Sequence, residues 1–199
     1  MKKTVIFDLG NVLLRWDPRA ILRRFSDDEQ ERRAYAQVLS GQCWQALDAG
    51  LIEYDKALKF YAGLLQKPQS EIERLMQTMR ESLAPLPLGV ALLRDLHQQG
   101  VDLICISNMP LHAIRYLRHR YDYWPLFRGM VISAEVQFIK PDPAIFRYAL
   151  ETYGLNPAQT LFIDDMQVNI DAAAALGIAG VCYQNRPQDV EQVYRFIES

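Results

Sequence analysis

The sequence predicts an α/β fold: a Rossmann-like, doubly wound parallel sheet core carrying an inserted α-helical cap. Three observations predict it. Short β-branched and apolar runs alternate with longer segments of helical period. Those runs are apolar at nearly every position, as in strands buried on both faces. One interval between two of them is far longer than a crossover with its helix requires.

The strand candidates are TVIFDL (4–9), VDLICIS (101–107), GMVISA (129–134), TLFID (160–164) and AGVCY (179–183). Helical patterns fall at 86–99, 110–121, 142–153, 166–176 and 187–198. The third of these opens with Asp142 as N-cap and Pro143 at the first helical position, and Gly154 closes it. The long interval separates the first two strands. From Pro18 to about Leu83 it is helical in pattern, with Ile72, Leu75, Met76, Met79 and Leu83 on one face and Ala57, Phe60, Tyr61 and Leu64 on another. The expected organisation is a core of residues 1–15 and 86–199 and a cap of residues 16–85. Short hinges near 15–18 and 84–87 would let the cap open and close.

Composition narrows the function. The chain has 199 residues, half of them hydrophobic, which is enough to bury a sizeable core. A formal charge of −2 with both signs interspersed offers no basic stripe for nucleic acid and no polybasic membrane anchor. Cys43, Cys105 and Cys182 are widely spaced and form no CxxC, as expected of reduced thiols in a cytoplasmic protein. The start MKKTVIF imitates a signal peptide, but Asp8 and Asn11 interrupt the apolar region and no small-residue cleavage site follows. No segment is long and apolar enough to span a membrane. Nothing in the sequence signals an oligomeric state.

Four polar points stand at strand carboxyl ends: Asp8, Ser107 with Asn108, Lys140, and Asp164 with Asp165. In a parallel sheet those ends share one edge, so all four can converge on one pocket. Singly each has a bland reading: an Asp capping a turn, an ST- or Asx-turn, a solvated lysine. The adjacent Asp pair is the least bland. Its charges repel, and the repulsion is relieved by a cation.

These elements, as FDLGNVLL, ISN, the Lys of IKPDPAIF, and FIDDMQVNIDAAAALG, in this order resemble the haloacid dehalogenase superfamily. The resemblance runs the length of the chain, and the inserted helices lie where that superfamily carries its C1 helical caps. The wording DLGNV, KPDPAIF and DDxxxN is similar to the glucose-1-phosphate phosphatase-like bacterial branch. The resemblance implies a phosphatase in which Asp8 is the nucleophile and forms an aspartyl phosphate that water hydrolyses. It implies Mg²⁺ held by the Asp8 carboxylate, the Gly10 carbonyl and Asp165, with Asp164 behind them through a water. Such oxygen donors favour Mg²⁺ over zinc. Ser107 and the backbone near Asn108 would donate to the phosphoryl oxygens, Lys140 would neutralise their charge, and Asn169 would position Lys140 or a water.

The sequence departs from the commonest phosphatase pattern at Gly10, where such enzymes carry a second Asp as general acid and base. Two substitutes follow: a substrate whose leaving group is already stabilised, such as an anomeric sugar 1-phosphate, or a proton borrowed through water or a substrate hydroxyl. The dehalogenase branch lacks that acid as well, so a 2-haloacid hydrolase is the rival, although a metal-free dehalogenase has no reason to keep Asp165. A non-catalytic binding scaffold is a rival of another class. Substrate choice falls to the cap, where Trp16 and Trp44, with Arg15, Asp17, Gln42 and Asp48 nearby, could hold a sugar ring or a base. Trp44 packed between cap helices is the plainer alternative. His112 reads as a surface residue or a pocket residue of the following helix. The expected substrate is a small phosphorylated metabolite, such as a sugar phosphate.

Overall fold

The computed structural model describes residues 3–199. Five strands, β1 (Thr4–Phe7), β2 (Asp102–Ser107), β3 (Gly129–Ile132), β4 (Thr160–Asp164) and β5 (Ala179–Cys182), form one parallel sheet in the order β3-β2-β1-β4-β5. β1 is central, and all four of its residues are buried. Phe7 is in register with Cys105 on one side and Ile163 on the other. Asp8, Ser107 and Asp164 therefore leave the sheet at nearly the same level.

Alternation along β1 sorts its side chains into two layers. Val5 and Phe7 join Leu103, Cys105, Leu161 and Ile163 on one face, with the residues of α6 (Pro87–Gln98), α7 (Leu111–Arg120) and α11 (Pro187–Glu198) packed over them. Ile6 joins Ile104, Ile106, Val131 and Phe162 on the other, under α9 (Pro143–Tyr153) and α10 (Gln167–Ala174). A short helix α8 (Ser133–Val136) follows β3. Helix α9 opens as expected: Asp142 accepts from Ala144 N at 2.8 Å, Pro143 holds the first position, and Gly154 closes it at φ 60°.

Between β1 and α6 lie five helices: α1 (Pro18–Phe25), α2 (Glu29–Ala36), α3 (Gly41–Asp48), α4 (Tyr54–Leu65) and α5 (Gln69–Ser82). Helix α5 buries Ile72, Leu75, Met76 and Met79, the face its periodicity marks. Helix α4 differs from expectation. It buries Ala57, Leu58 and Tyr61, while Phe60 and Leu64 are about half exposed. The apolar stripe of α4 is wider than the surface available to cover it. The segments that enter and leave this insert pair with each other. Arg15 N donates to Ala84 O and Leu86 N to Leu13 O, both at 2.8 Å, around an antiparallel bridge between Leu14 and Pro85.

Strand ends differ by one or two residues. GMVISA stops as a strand at Ile132 because Ser133 starts α8. AGVC is an edge strand whose first two residues are exposed, so its apolar run does not report burial on both faces. The three cysteines are free thiols, Cys105 buried and the other two half-buried. No helix among the described residues is long and apolar enough to cross a membrane.

Candidate active site

The turn after β1 delivers Asp8. Its backbone N–H donates to Ile163 O at 2.9 Å, extending the pairing of β1 with β4 one residue past the strand. The chain then turns sharply: the N–H groups of Leu13 and Leu14 both donate to Leu9 O, and Asn11 takes a left-handed φ of 52°. Asn tolerates that conformation better than most residues, because its short polar side chain bonds locally. Here Asn11 Oδ1 accepts from Trp16 N at 3.0 Å and Nδ2 donates to Asp165 Oδ2 at 2.9 Å.

Lys140 reaches the site from the loop before α9, with its side chain buried. Its Nζ lies 2.8 Å from Asp8 Oδ1 and 2.6 Å from Asp164 Oδ2. Burial opposes a charge on Lys140, but the two carboxylates outweigh it and hold its pKa above the ordinary lysine value. Burial pushes Asp8 up to about 7 against the pull of Lys140, with Asp164 adding to the rise. Asp164 is fully buried, and its Oδ1 accepts from Met166 N at 2.8 Å and from Asn169 Nδ2 at 2.9 Å. Asp165 is half-buried and raised by burial, an effect that the Asn11 amide offsets in part.

One ammonium thus faces three carboxylates. One carboxylate oxygen from each of Asp8, Asp164 and Asp165 lies within 4.8 Å of the others. An oxygen-only donor set of this charge fits a hard divalent cation, which would remove the repulsion that Lys140 alone leaves.

The remaining expected residues distribute as follows. Ser107 is buried at the end of β2 and lines the same cleft as Asp8, Gly10, Asn108, Lys140, Asp165 and Asn169. Asn108 has its side chain bonded at both ends to the Lys140 backbone, and the residue also lines the cleft. Asn169 does not touch Lys140. It holds Asp164, because α10 begins three residues beyond that carboxylate and turns Asn169 back over it.

Trp16 and Trp44 also line the cleft, stacked with ring centroids 5.7 Å apart and planes 19° apart. The cleft holds about 240 Å³ and has Leu14, Met79, Leu83 and Met109 among its apolar walls. His112 is half-buried and does not line the cleft. It packs against Tyr54 at a centroid distance of 4.2 Å, and its Nε2 is buried. Two contributors escaped the sequence reading. Asn11 could have been found as the one non-glycine residue of the turn suited to a positive φ. Ser133 carries no local signal, since its role depends on Met109 and Asp48 meeting it in space.

Comparison with known proteins agrees with this geometry. The family model described as haloacid dehalogenase-like hydrolase matches residues 2–177. The chain belongs to that family, and is therefore an enzyme of the hydrolase class. A sesquiterpene phosphatase of Aspergillus oryzae is 30% identical over 90% of this chain and 88% of its own. A phosphoglycolate phosphatase of Aliivibrio fischeri is 31% identical over 88% of this chain and 81% of its own. Among solved structures, a magnesium complex of a HAD family enzyme from Bacteroides thetaiotaomicron superposes with a TM-score of 0.80 at 21% identity, covering 98% of both chains.

Proposed function

We propose that the protein is a Mg²⁺-dependent phosphatase acting on a small phosphorylated metabolite in a reducing, cytoplasmic setting, with residues 16–85 as a cap of the C1 type over the reaction centre. The observation that carries this reading is the group formed by buried Lys140, Asp8 and Asp164 with half-buried Asp165 at one edge of the sheet. Relatives named as phosphatases support it.

Asp8 attacks phosphorus, and the ester oxygen leaves to give an aspartyl phosphate that water then hydrolyses. Lys140 favours the ionised form of Asp8 against burial and opposes the negative charge of the phosphoryl oxygens. The Ser107 hydroxyl and the backbone N–H of Asn108 donate to those oxygens. Asp8, the Gly10 carbonyl and Asp165 would hold Mg²⁺, with Asp164 beside them. The ion, when bound, supplies Lewis-acid stabilisation and screens one anion from another. Asn169 and Met166 N fix Asp164, and Asn11 fixes Asp165, so the carboxylates do not turn away from each other.

The stacked indoles of Trp16 and Trp44 offer a flat apolar wall of the kind that packs against a ring. A sugar phosphate, including a 1-phosphate of the glucose-1-phosphate phosphatase kind, suits such a wall. The test is phosphate release from a panel of phosphorylated metabolites with Mg²⁺ and with chelator. Turnover that needs the ion and vanishes in Asp8→Asn is expected. Release that survives either change rules out the reading.

A further inference from the structure

A phosphate ester that leaves as an alkoxide must receive a proton, and the water that attacks the aspartyl phosphate must lose one. The carboxylates around Asp8 cannot serve: Asp164 is bonded to Lys140 and Asn169, and Asp165 to Asn11. Gly10, closest in sequence, has no side chain. A different carboxyl enters the same cleft from the inserted helices. Asp48 closes α3 and lines the cleft with Asp8, Ser107 and Lys140, and its Oδ1 is buried without a hydrogen-bond partner. An unpartnered buried carboxyl oxygen is costly for stability alone, which argues for a use elsewhere.

Its main chain is pinned. Ser133 Oγ donates to Asp48 O and accepts from Met109 N, linking the loop after β2 to the end of α3. Gly50 lets the two surfaces meet: it has φ +66°, and a Cβ there would lie 2.3 Å from Ala134 O. The main chain of Asp48 is thus fixed relative to the loop that follows Ser107. Burial raises it to about 7, an effect the Trp44 indole opposes, so it holds and releases a proton near neutrality. Tyr61 of α4, itself beside Cys43 of α3, is its titratable neighbour.

We propose that Asp48 is the general acid and base of the reaction, supplied by the cap. This rests on the phosphatase reading. In the first step Asp8 Oδ bonds to phosphorus, the P–O bond to the leaving group breaks, and the leaving oxygen takes the proton of Asp48. In the second, the Asp48 carboxylate takes a proton from the water that bonds to phosphorus. The bond to Asp8 breaks, and Asp48 ends protonated as it began. A polar wall contact or a merely structural carboxyl would not distinguish leaving groups, whereas a proton donor must.

The experiment compares p-nitrophenyl phosphate, whose leaving group departs without a proton, with hexyl phosphate, whose leaving group needs one. Asp48→Asn is expected to lose about 10²- to 10⁴-fold in the first step on hexyl phosphate. On p-nitrophenyl phosphate it should give a burst of nitrophenolate stoichiometric with enzyme, followed by slow turnover as the phosphorylated protein accumulates. Adding Gly10→Asp should restore much of the hexyl phosphate rate, because a Cβ at Gly10 would lie 3.7 Å from Asp8 Oδ2 with nothing closer. Equal losses on both substrates, or none, overturn the proposal. Should Asp48→Asn fail to fold, the wild type decides: its first step should vary little with leaving-group pKa across alkyl and aryl phosphates, and a steep dependence overturns the idea. If instead the wild type releases no phosphate from either ester with Mg²⁺, or Asp8→Asn retains activity, the phosphatase reading itself has failed, and this proposal with it.

Discussion

Asn108 grips Lys140 by the main chain on both sides: its Oδ1 accepts from Lys140 N at 2.8 Å and its Nδ2 donates to Lys140 O at 2.9 Å. The side chain that follows β2 thereby sets where the lysine of a distant loop stands. Lys140 can reach Asp8 and Asp164 together only while its backbone is held there.

Asn108→Ala should therefore lower kcat by about 10²-fold, the scale set by a misplacement of about 1 Å at a reacting centre. Asn108→Asp keeps the acceptor but loses the donor, and should fall between Ala and wild type. Steady-state kinetics with a substrate accepted by the wild type gives the order. Two variants as active as wild type would show that the loop holds Lys140 unaided.

Lys140→Met tests the charge balance. Removing one partner from a buried ionic group costs about 3–5 kcal/mol, because the carboxylates left behind are unpaired. Urea unfolding in chelator should show that loss. Mg²⁺ should recover part of it, since a ligand of the folded state at 100 times its Kd contributes about 2.7 kcal/mol. In Asp165→Asn the Mg²⁺-dependent stabilisation should shrink. An unchanged response to Mg²⁺ in Asp165→Asn would remove that carboxylate from the ion's surroundings.

Much of this site was legible in the sequence because each piece is a local departure from an apolar run. Asp8 and the Asp164–Asp165 pair stand where a buried strand ends, and a parallel sheet forces such ends together. Lys140 was legible through the helix start that follows it. What stayed hidden depends on distant meetings. Asn108 reads as a turn residue until Lys140 is beside it, Asn169 reads as a neighbour of Lys140 until α10 is seen to fold it over Asp164, and Asp48 is one more acid in a polar helix until Ser133 and Gly50 bring it over the cleft. Phe60 and Leu64 show the opposite failure, since helical period marks a face without stating whether anything covers it.

Gly10→Asp probes the space beside Asp8. A Cβ there meets only Asp8 Oδ2 at 3.7 Å and Trp16 Cβ at 4.0 Å, both ordinary contacts, so the variant should fold with stability within about 1 kcal/mol of wild type. Because Asp48 already carries the proton in the proposed reaction, a second carrier next to Asp8 should leave the relative turnover of esters with poor and good leaving groups little changed. The ratio of rates on hexyl and p-nitrophenyl phosphate measures it. A rise in the ratio would mean that proton transfer limits the wild type and that Asp48 does not supply it.

His112 sets a pH dependence of stability between the inserted helices and the core. It lies on α7 against Tyr54 of α4, and burial together with the positive charge of Arg80 pushes its pKa down to about 3. The folded protein keeps this imidazole neutral, while the unfolded chain protonates it near the ordinary value of 6.5. Between those values the unfolded state binds the additional proton, so stability falls as pH drops from about 6.5 toward 3 and is unaffected by this group above that window. The slope from one such proton is about 1.4 kcal/mol per pH unit. Nε2 has no hydrogen-bond partner to lose, so His112→Phe should preserve the stacking on Tyr54 while removing the titration. Near pH 7.5 the two proteins should differ by less than about 1 kcal/mol, and at pH 5 the variant should have gained about 2 kcal/mol on the wild type. Urea unfolding at the two pH values measures that difference of differences, and equal acid sensitivity in both proteins would place His112 in water rather than under Tyr54.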